Sequence, residues 1–267
     1  MDVILKKRLL MKKIYSILIL LLLFIFHNAE TQKTFSLSID QIVKLAKEAR
    51  LKQELYVIDY TCFCIEELRI LDKNGEIKHQ ETTKRKVYVK GDITHDQLVS
   101  IQKKEKAFSD KEITERQKEI DKEERKKGKE KDSRWISPFE EKGEGKFEFK
   151  LLREDTLNSH ATYVIFVDPK EKAKELLRGL YWIDKQSYRI LRSEFSPSEN
   201  PQFVKEMKIF VDFMEVDNGV FLPQVFKIKG KGGFLFFKTN FEMERTCQDY
   251  EINVGLKEEI FPELQGQ

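Results

Sequence analysis

The chain contains 267 residues, of which 40% are hydrophobic and 36% are charged. This length and composition suit one well-buried domain together with a solvated, charged segment. The whole chain carries a formal charge of +3, and residues 1–29 carry +4, so the remaining residues carry about −1. This distribution argues against a nucleic-acid-binding protein, which needs a basic face on its folded domain.

The N-terminal segment has the layout of an export signal. Five basic residues between Lys6 and Lys13 precede an apolar run over residues 14–26. The run is shorter than the roughly twenty residues of a transmembrane helix, so we predict a signal peptide over residues 1–29, cleaved near Ala29. An uncleaved inner-membrane anchor is the alternative, because His27-Asn28-Ala29 is a poor cleavage site. No cysteine follows the run closely, so we predict no lipid anchor.

Residues 39–53 are predicted to form a helix that packs on a sheet. Ser38-Ile39-Asp40-Gln41 fits a capping box, and an apolar stripe at helical spacing follows it. The stripe consists of Ile39, Ile42, Val43, Ala46 and Ala49. Such a helix either covers the core or acts as a lid over a lipid groove.

Two long strands are predicted over residues 55–71 and 76–89, joined by the turn Asp72-Lys73-Asn74-Gly75. Arms of this length suit strands that sweep round a curved sheet. Cys62 and Cys64 share a face of the first strand and cannot easily bond to each other. In an exported protein one of them is expected to bridge to Cys247, which leaves an odd thiol. The alternative is a Cys-x-Cys metal or redox site, for which no other ligand lies at a suitable spacing.

Residues 102–134 are dominated by lysine and glutamate and cannot build a core. Ser109 and Glu112 form a second capping box, and opposite charges four residues apart continue beyond it. We therefore predict a solvated helix over residues 110–127 within a surface insertion. The functional alternative is a docking arm for a partner or for lipid headgroups. Strands resume at residues 147–151 and 161–167.

The C-terminal part, from Leu180 to Val254, is rich in phenylalanine and in period-two patterns. The predicted strands are residues 180–184, 188–195, 203–216, 220–229 and 234–245. Asp217-Asn218-Gly219 supplies a tight hairpin turn. Gly230, Gly232 and Gly233 are predicted to break the chain between the last two strands.

Four short elements of this part, in this order and spacing, resemble the LolA-like outer-membrane lipoprotein-sorting family. They are residues 179–184 (GLYWID), 189–194 (RILRSE), 217–223 (DNGVFLP) and 249–252 (DYEI). The resemblance is best over residues 151–254, extends to residues 37–92, and is lacking between them. It implies an α+β, mostly antiparallel fold, in which an open, incomplete barrel takes acyl chains on its concave face beneath covering helices. We accordingly expect residues 30–267 to form one half-barrel domain.

Neither a catalytic constellation nor a cofactor motif is recognisable in the sequence. His79, His95 and His160 are scattered and are predicted to be polar surface or turn residues. Gly230-Lys231-Gly232-Gly233 lacks the ending of a phosphate-binding loop. The two carboxylates of a glycosidase are recognised by their distance across a cleft and not by their spacing in the sequence, so a glycosidase pair stays open. We expect a protein that is not an enzyme and that has no metal or cofactor.

The predicted function is a periplasmic carrier, in a two-membrane bacterium, that shields acyl chains during transfer towards the outer membrane. Each buried methylene contributes about 0.8 kcal/mol. The predicted groove lining is Trp182, Met207, Ile209, Val211, Phe213, Leu222, Phe226, Ile228, Leu235, Phe237 and Phe241. At each position a plain hydrophobic core is the alternative. The expected partners are acyl chains of a lipid or lipoprotein and proteins of the inner and outer membranes. The second hypothesis is a non-catalytic structural or interaction protein of the envelope with a filled core.

Overall fold

A computed structural model of the protein describes residues 37–127, 135–233 and 239–264. The predicted export signal, the end of the charged insertion and the predicted groove residues Leu235 and Phe237 lie outside the described residues. From Ser38 onward the described residues belong to one compact unit.

The described residues form one sheet of eleven strands, in which every neighbouring pair is antiparallel. The strands are β1 (Asp59–Leu71), β2 (Ile77–Lys90), β3 (Ile93–Lys103), β4 (Lys106–Ala107), β5 (Phe147–Leu157), β6 (His160–Pro169), β7 (Leu177–Asp184), β8 (Ile190–Pro197), β9 (Val204–Asp217), β10 (Val220–Gly232) and β11 (Thr239–Ile252). Their spatial order is β4-β3-β2-β1-β11-β10-β9-β8-β7-β6-β5. In the part of the chain that the structure describes, β4 and β5 are separate edges, so the sheet is not closed. This confirms the predicted open, LolA-like half-barrel.

The strand order reflects two meanders joined at a single place. Strands β1 to β4 pair with their sequence neighbours, and so do strands β5 to β11. Only the pairing of β1 with β11 connects distant parts of the chain, and Cys64 lies opposite Cys247 in that pairing. These two cysteines form a disulfide across 183 residues. The predicted bridge to Cys247 is thus confirmed, with Cys64 as the partner and Cys62 free.

The first helix, α1 (Ile39–Tyr56), begins at the predicted capping box. The Ser38 side chain accepts from the Gln41 backbone, and the Gln41 side chain accepts from the Ser38 backbone at 2.9 Å. Four of the five predicted stripe residues, Ile42, Val43, Ala46 and Ala49, are buried. The helix ends at Tyr56 and β1 begins at Asp59, so the predicted strand start at residue 55 is wrong. The last turn stays helical because the Val57 N–H donates to the Gln53 carbonyl at 2.8 Å.

The second helix, α2 (Asp110–Lys127), has the predicted bounds, and Ser109 caps it together with Glu112. Unlike the predicted free surface insertion, however, α2 packs against β3 and against the C-terminal turn Pro262–Leu264. Strand β3 was not predicted, because its apolar residues Ile93, Leu98, Val99 and Ile101 do not follow a period of two. The last two residues of β3, 102 and 103, belong to the predicted insertion.

The Gln117 side chain of α2 binds the outer edge of β3. It accepts from the Leu98 N–H at 2.7 Å and donates to the Asp96 carbonyl at 3.0 Å. An uncovered sheet edge would otherwise leave these groups to pair with another chain. The charged helix therefore covers the part of β3 that the short edge strand β4 leaves unpaired.

The glycines after residue 229 do not end the strand, contrary to prediction. Strand β10 continues through Gly230 to Gly232. Gly230 pairs with Phe241 of β11, and the Phe241 ring occupies the space that a side chain at Gly230 would need. A glycine is tolerated in this strand because a neighbouring aromatic ring covers it. The hairpin turn at residues 217–219 is confirmed, with Gly219 at a φ of 79°.

Candidate functional site

A cavity of about 700 Å³ lies between α1 and the concave face of the sheet. Its walls come from most of the width of the half-barrel, from β3 across the sheet to β7. The apolar and aromatic lining includes Cys62, Cys64, Val87, Val89, Tyr181, Phe195, Val211, Phe213, Phe221, Phe226 and Met243. A cavity of this size lies in the range of about 300–1,000 Å³ that is typical of small-molecule sites.

Helix α1 covers the cavity and is attached to the sheet by side-chain hydrogen bonds. The Gln53 side chain donates to the Phe221 carbonyl at 2.9 Å and accepts from the Phe221 N–H at 2.9 Å. The Arg189 guanidinium, on the turn before β8, donates to the Ala49 carbonyl. These polar contacts join the helix to β10 and to the turn before β8, so α1 has the position of a lid.

The cysteines form part of the cavity wall next to β11. The free Cys62 sulfur lies 3.7 Å from the sulfur of Cys64. Burial raises the pKa of Cys62 to about 11, so its thiol is protonated at neutral pH and is a poor nucleophile or metal ligand. Because Cys64 is in the disulfide, the Cys-x-Cys pair does not offer two thiolates.

Arg245 also lines the cavity, and its charge is neutralised by two carboxylates. Its guanidinium lies 2.6 Å from Glu66 and 3.1 Å from Asp96. Arg85 contacts the same two carboxylates at 3.0 and 3.4 Å. Burial disfavours the charged form of Glu66, but the two guanidiniums outweigh this effect and hold the pKa of that carboxyl below its usual value. Two cations and two anions thus compensate one another at this wall.

Three of the predicted groove residues line the cavity: Val211, Phe213 and Phe226. Phe226 lies opposite Val211 in the β9–β10 pairing. Ile209 and Ile228 form the next pair on the same face, and Met207 and Phe241 flank Gly230 beyond it. These last four residues lie along the sheet outside the cavity lining, and Ile209 is only 1% exposed.

Leu222 and Trp182 do not line the cavity. Leu222 was predicted to share a face with Phe226, but a bulge between Pro223 and Val225 inserts one residue and reverses the alternation. Leu222 therefore points to the opposite face, where it is buried. Trp182 packs in a core cluster behind the wall formed by Phe213 and Phe221, and its indole N–H donates to Asp155 at 3.4 Å.

Several lining residues were missing from the predicted groove. Tyr60, Cys62 and Cys64 recur at every second position of β1, and this spacing already placed them on one face. Arg189 and the lid residues Arg50 and Gln53 carry no such signal, because they reach the cavity from a turn and from a helix. Their contribution depends on the tertiary arrangement.

The histidines of the described residues each contact a carboxylate. His79 lies 3.7 Å from Glu81 and His160 lies 3.2 Å from Asp184. The Ser187 hydroxyl donates to Asp184 at 2.8 Å, so it does not contact His160 as a nucleophile contacts its base.

His95 is buried in β3, so the prediction of a surface or turn position was wrong for this residue. Its imidazole Nδ1 lies 2.8 Å from Glu124 of α2. Burial alone would lower the pKa of His95, but the hydrogen bond to Glu124 and the charges of Glu124, Asp121 and Asp96 outweigh it and raise that pKa. Among the described residues, two groups have ligand atoms within 4.8 Å of one another: Cys62, Cys64 and Cys247, and His95, Asp121 and Glu124. The second group could hold a metal ion, whereas two cysteines of the first are used in the disulfide.

The chain matches a protein-family model over most of its length. Residues 66–250 match the sequence model of a family described as a family of unknown function, DUF5686. A search of curated proteins found no match.

Solved structures to which the chain is similar include two from the lipoprotein-sorting group. A putative outer membrane lipoprotein-sorting protein domain from Vibrio parahaemolyticus is 13% identical, with 84% of this chain and 97% of that chain covered and a TM-score of 0.42. A LolA superfamily protein from Nitrosomonas europaea is 12% identical, with 85% and 98% covered and a TM-score of 0.33. A DUF1329 family protein from Desulfovibrio piger is 13% identical, with 84% and 96% covered and a TM-score of 0.46.

Among the described residues, neither α1 nor α2 combines the length and the apolar character that a membrane-crossing helix requires.

Proposed function

The chain belongs to the DUF5686 family, and we propose that it is a non-catalytic carrier that shields acyl chains of a lipid or lipoprotein in the cavity beneath α1. The observation that carries the proposal is a cavity of about 700 Å³ with aromatic and aliphatic walls under a separately attached helix. An acyl chain gains about 0.8 kcal/mol for each methylene removed from water, so such a cavity binds a chain without specific polar contacts.

We further propose that the carrier works in the periplasm of a two-membrane bacterium and transfers its cargo towards the outer membrane. The basic N-terminal residues and the apolar run that follows them support export. Sequencing of the mature N-terminus should find it within a few residues of Glu30. Recovery of the intact chain with membranes would favour an uncleaved anchor instead.

The carrier proposal is tested by extracting lipid from the purified protein and then measuring binding to the delipidated protein. Mass spectrometry of the organic extract should find acyl chains in a fixed ratio to protein. Oleate should then bind saturably to the delipidated protein. An empty extract together with no saturable binding would contradict the carrier, and would favour an envelope protein whose function lies in protein contacts.

A further inference from the structure

The charged residues of the cavity differ in how their charges are compensated. The cavity lining includes Arg50, Glu54, Arg189 and Arg245 as its charged residues. Arg245 is compensated by Glu66 and Asp96, as described above. Arg50 lies 2.6 Å from Glu54 and 3.5 Å from Glu140. Within the described residues, no carboxylate lies within ion-pair distance of Arg189.

Arg189 is held in a place where an unpaired charge is unfavourable. Its guanidinium donates to the carbonyl of Ala49, which leaves most of its five N–H groups available. Desolvation lowers the pKa of this guanidinium, as expected for a cation removed from water without an anion beside it. A partly buried cation facing an apolar space is stabilised most by an anion that enters the same space.

A second guanidinium group lies at the same part of the lid. Arg50 follows Ala49 in α1, and its Nη1 is buried without a hydrogen-bond partner among the described residues. Both arginines therefore line the cavity and have unused donors, Arg50 on the lid and Arg189 on the turn before β8. Two such groups match the oxygens of a carboxylate or phosphate.

We propose that the cargo is an anionic amphiphile whose carboxylate or phosphate headgroup binds Arg189, with Arg50 assisting, while its acyl chain occupies the aromatic part of the cavity. This inference rests on the carrier function proposed above and adds the chemical class of the ligand. The polar atoms lie beside the lid and the aromatic walls lie along the sheet, so one amphiphile can satisfy both.

The test compares oleate with oleyl alcohol, which has the same chain and no charge, by titration calorimetry on the delipidated protein. The wild type should bind oleate at least about tenfold more tightly than oleyl alcohol, because charge-assisted hydrogen bonds are stronger than neutral ones. Arg189→Gln should remove this preference, so that oleate and oleyl alcohol bind the variant with equal affinity. Arg189→Lys, which keeps the charge, should retain part of the preference.

Arg153→Gln is the matched control, because Arg153 is exposed, is absent from the cavity lining and pairs with Asp155 at 3.2 Å. It should leave both affinities unchanged. Inorganic phosphate serves as an anion without a chain, and binding of phosphate as tight as that of oleate would overturn the amphiphile proposal.

The two proposals fail in different ways. Equal wild-type affinities for oleate and oleyl alcohol would overturn the headgroup inference and leave the carrier function standing. No binding of either compound would overturn the carrier function itself. This wild-type comparison needs no substitution, so it decides the matter even if Arg189→Gln does not fold.

Discussion

Gln53 of α1 and the backbone of Phe221 in β10 exchange two hydrogen bonds, each of 2.9 Å, and so hold the lid helix to the wall of the cavity. Replacement of Gln53 by alanine would leave the N–H and the carbonyl of Phe221 without this partner. A buried polar group left unpaired costs about 1–3 kcal/mol, so Gln53→Ala should lower the free energy of unfolding by about 2 kcal/mol. Hydrogen exchange should also become faster at the Phe221 amide.

Lys52→Ala is the control for the lid, since Lys52 is an exposed neighbour on the same helix. It should change the free energy of unfolding by less than about 0.5 kcal/mol. Equal effects of the two substitutions, measured by chemical denaturation, would show that the Gln53 contact does not hold the lid.

The wall residue Phe226 and the core residue Ile209 should respond differently to truncation. Ile209 is only 1% exposed, so Ile209→Ala should cost about 2–5 kcal/mol of unfolding free energy. Phe226 faces the cavity, and its truncation to alanine should cost much less than the about 3–5 kcal/mol typical of a packed core phenylalanine.

Phe226→Glu should abolish oleate binding, because the carboxylate would have to be desolvated beside the acyl chain. Titration with oleate measures this loss, and circular dichroism checks that the variant is folded. A folded Phe226→Glu variant that binds oleate normally would place the ligand elsewhere.

The contact between His95 and Glu124 should make the stability of the protein pH-dependent. The pKa of His95 is raised in the folded state, so its contribution is fully present below its unfolded value of about 6.5. This contribution is lost as the pH rises through the raised folded value. Thermal unfolding between about pH 5 and pH 9 should therefore show a decrease in stability with rising pH.

Glu124→Gln should make that decrease smaller, since Glu124 both accepts the hydrogen bond from His95 and supplies a nearby charge. Glu119→Gln serves as its control, because Glu119 is an exposed residue of α2 that pairs with Arg116 at 2.7 Å. The pH profile of this control should match that of the wild type. If Glu124→Gln also keeps the wild-type profile, the contact contributes nothing to stability.

The position of the Phe241 ring over Gly230 should make alanine unfavourable at residue 230. A Cβ atom there would collide with the ring, and overpacking of this kind costs about 1–3 kcal/mol. Phe241→Ala removes the obstacle, so the double variant Gly230→Ala/Phe241→Ala should be more stable than the sum of the two single effects implies. Additive effects in denaturant unfolding would contradict this account.

Much of the local structure was predictable, because its signals lie within a few residues of one another. The Ser38 capping box located the start of α1, and the Ser109 box with its charge pattern located α2. The turn Asp217-Asn218-Gly219 located the β9–β10 hairpin. Hairpins then pair strands that are adjacent in sequence, which accounts for all but one pairing of the sheet.

The sequence by itself thus determined the starts of both helices, the turns of the β1–β2 and β9–β10 hairpins and the alternation of apolar residues along several strands. Only the tertiary structure decided that β1 pairs with β11, and hence that Cys64 rather than Cys62 bonds to Cys247. It also decided which apolar residues face the cavity, because one extra residue between Pro223 and Val225 turns Leu222 away from the face of Phe226. The period-two alternation of a strand indicates which side chains share a face. A bulge reverses the faces of the residues beyond it, and elements distant in sequence decide what covers each face.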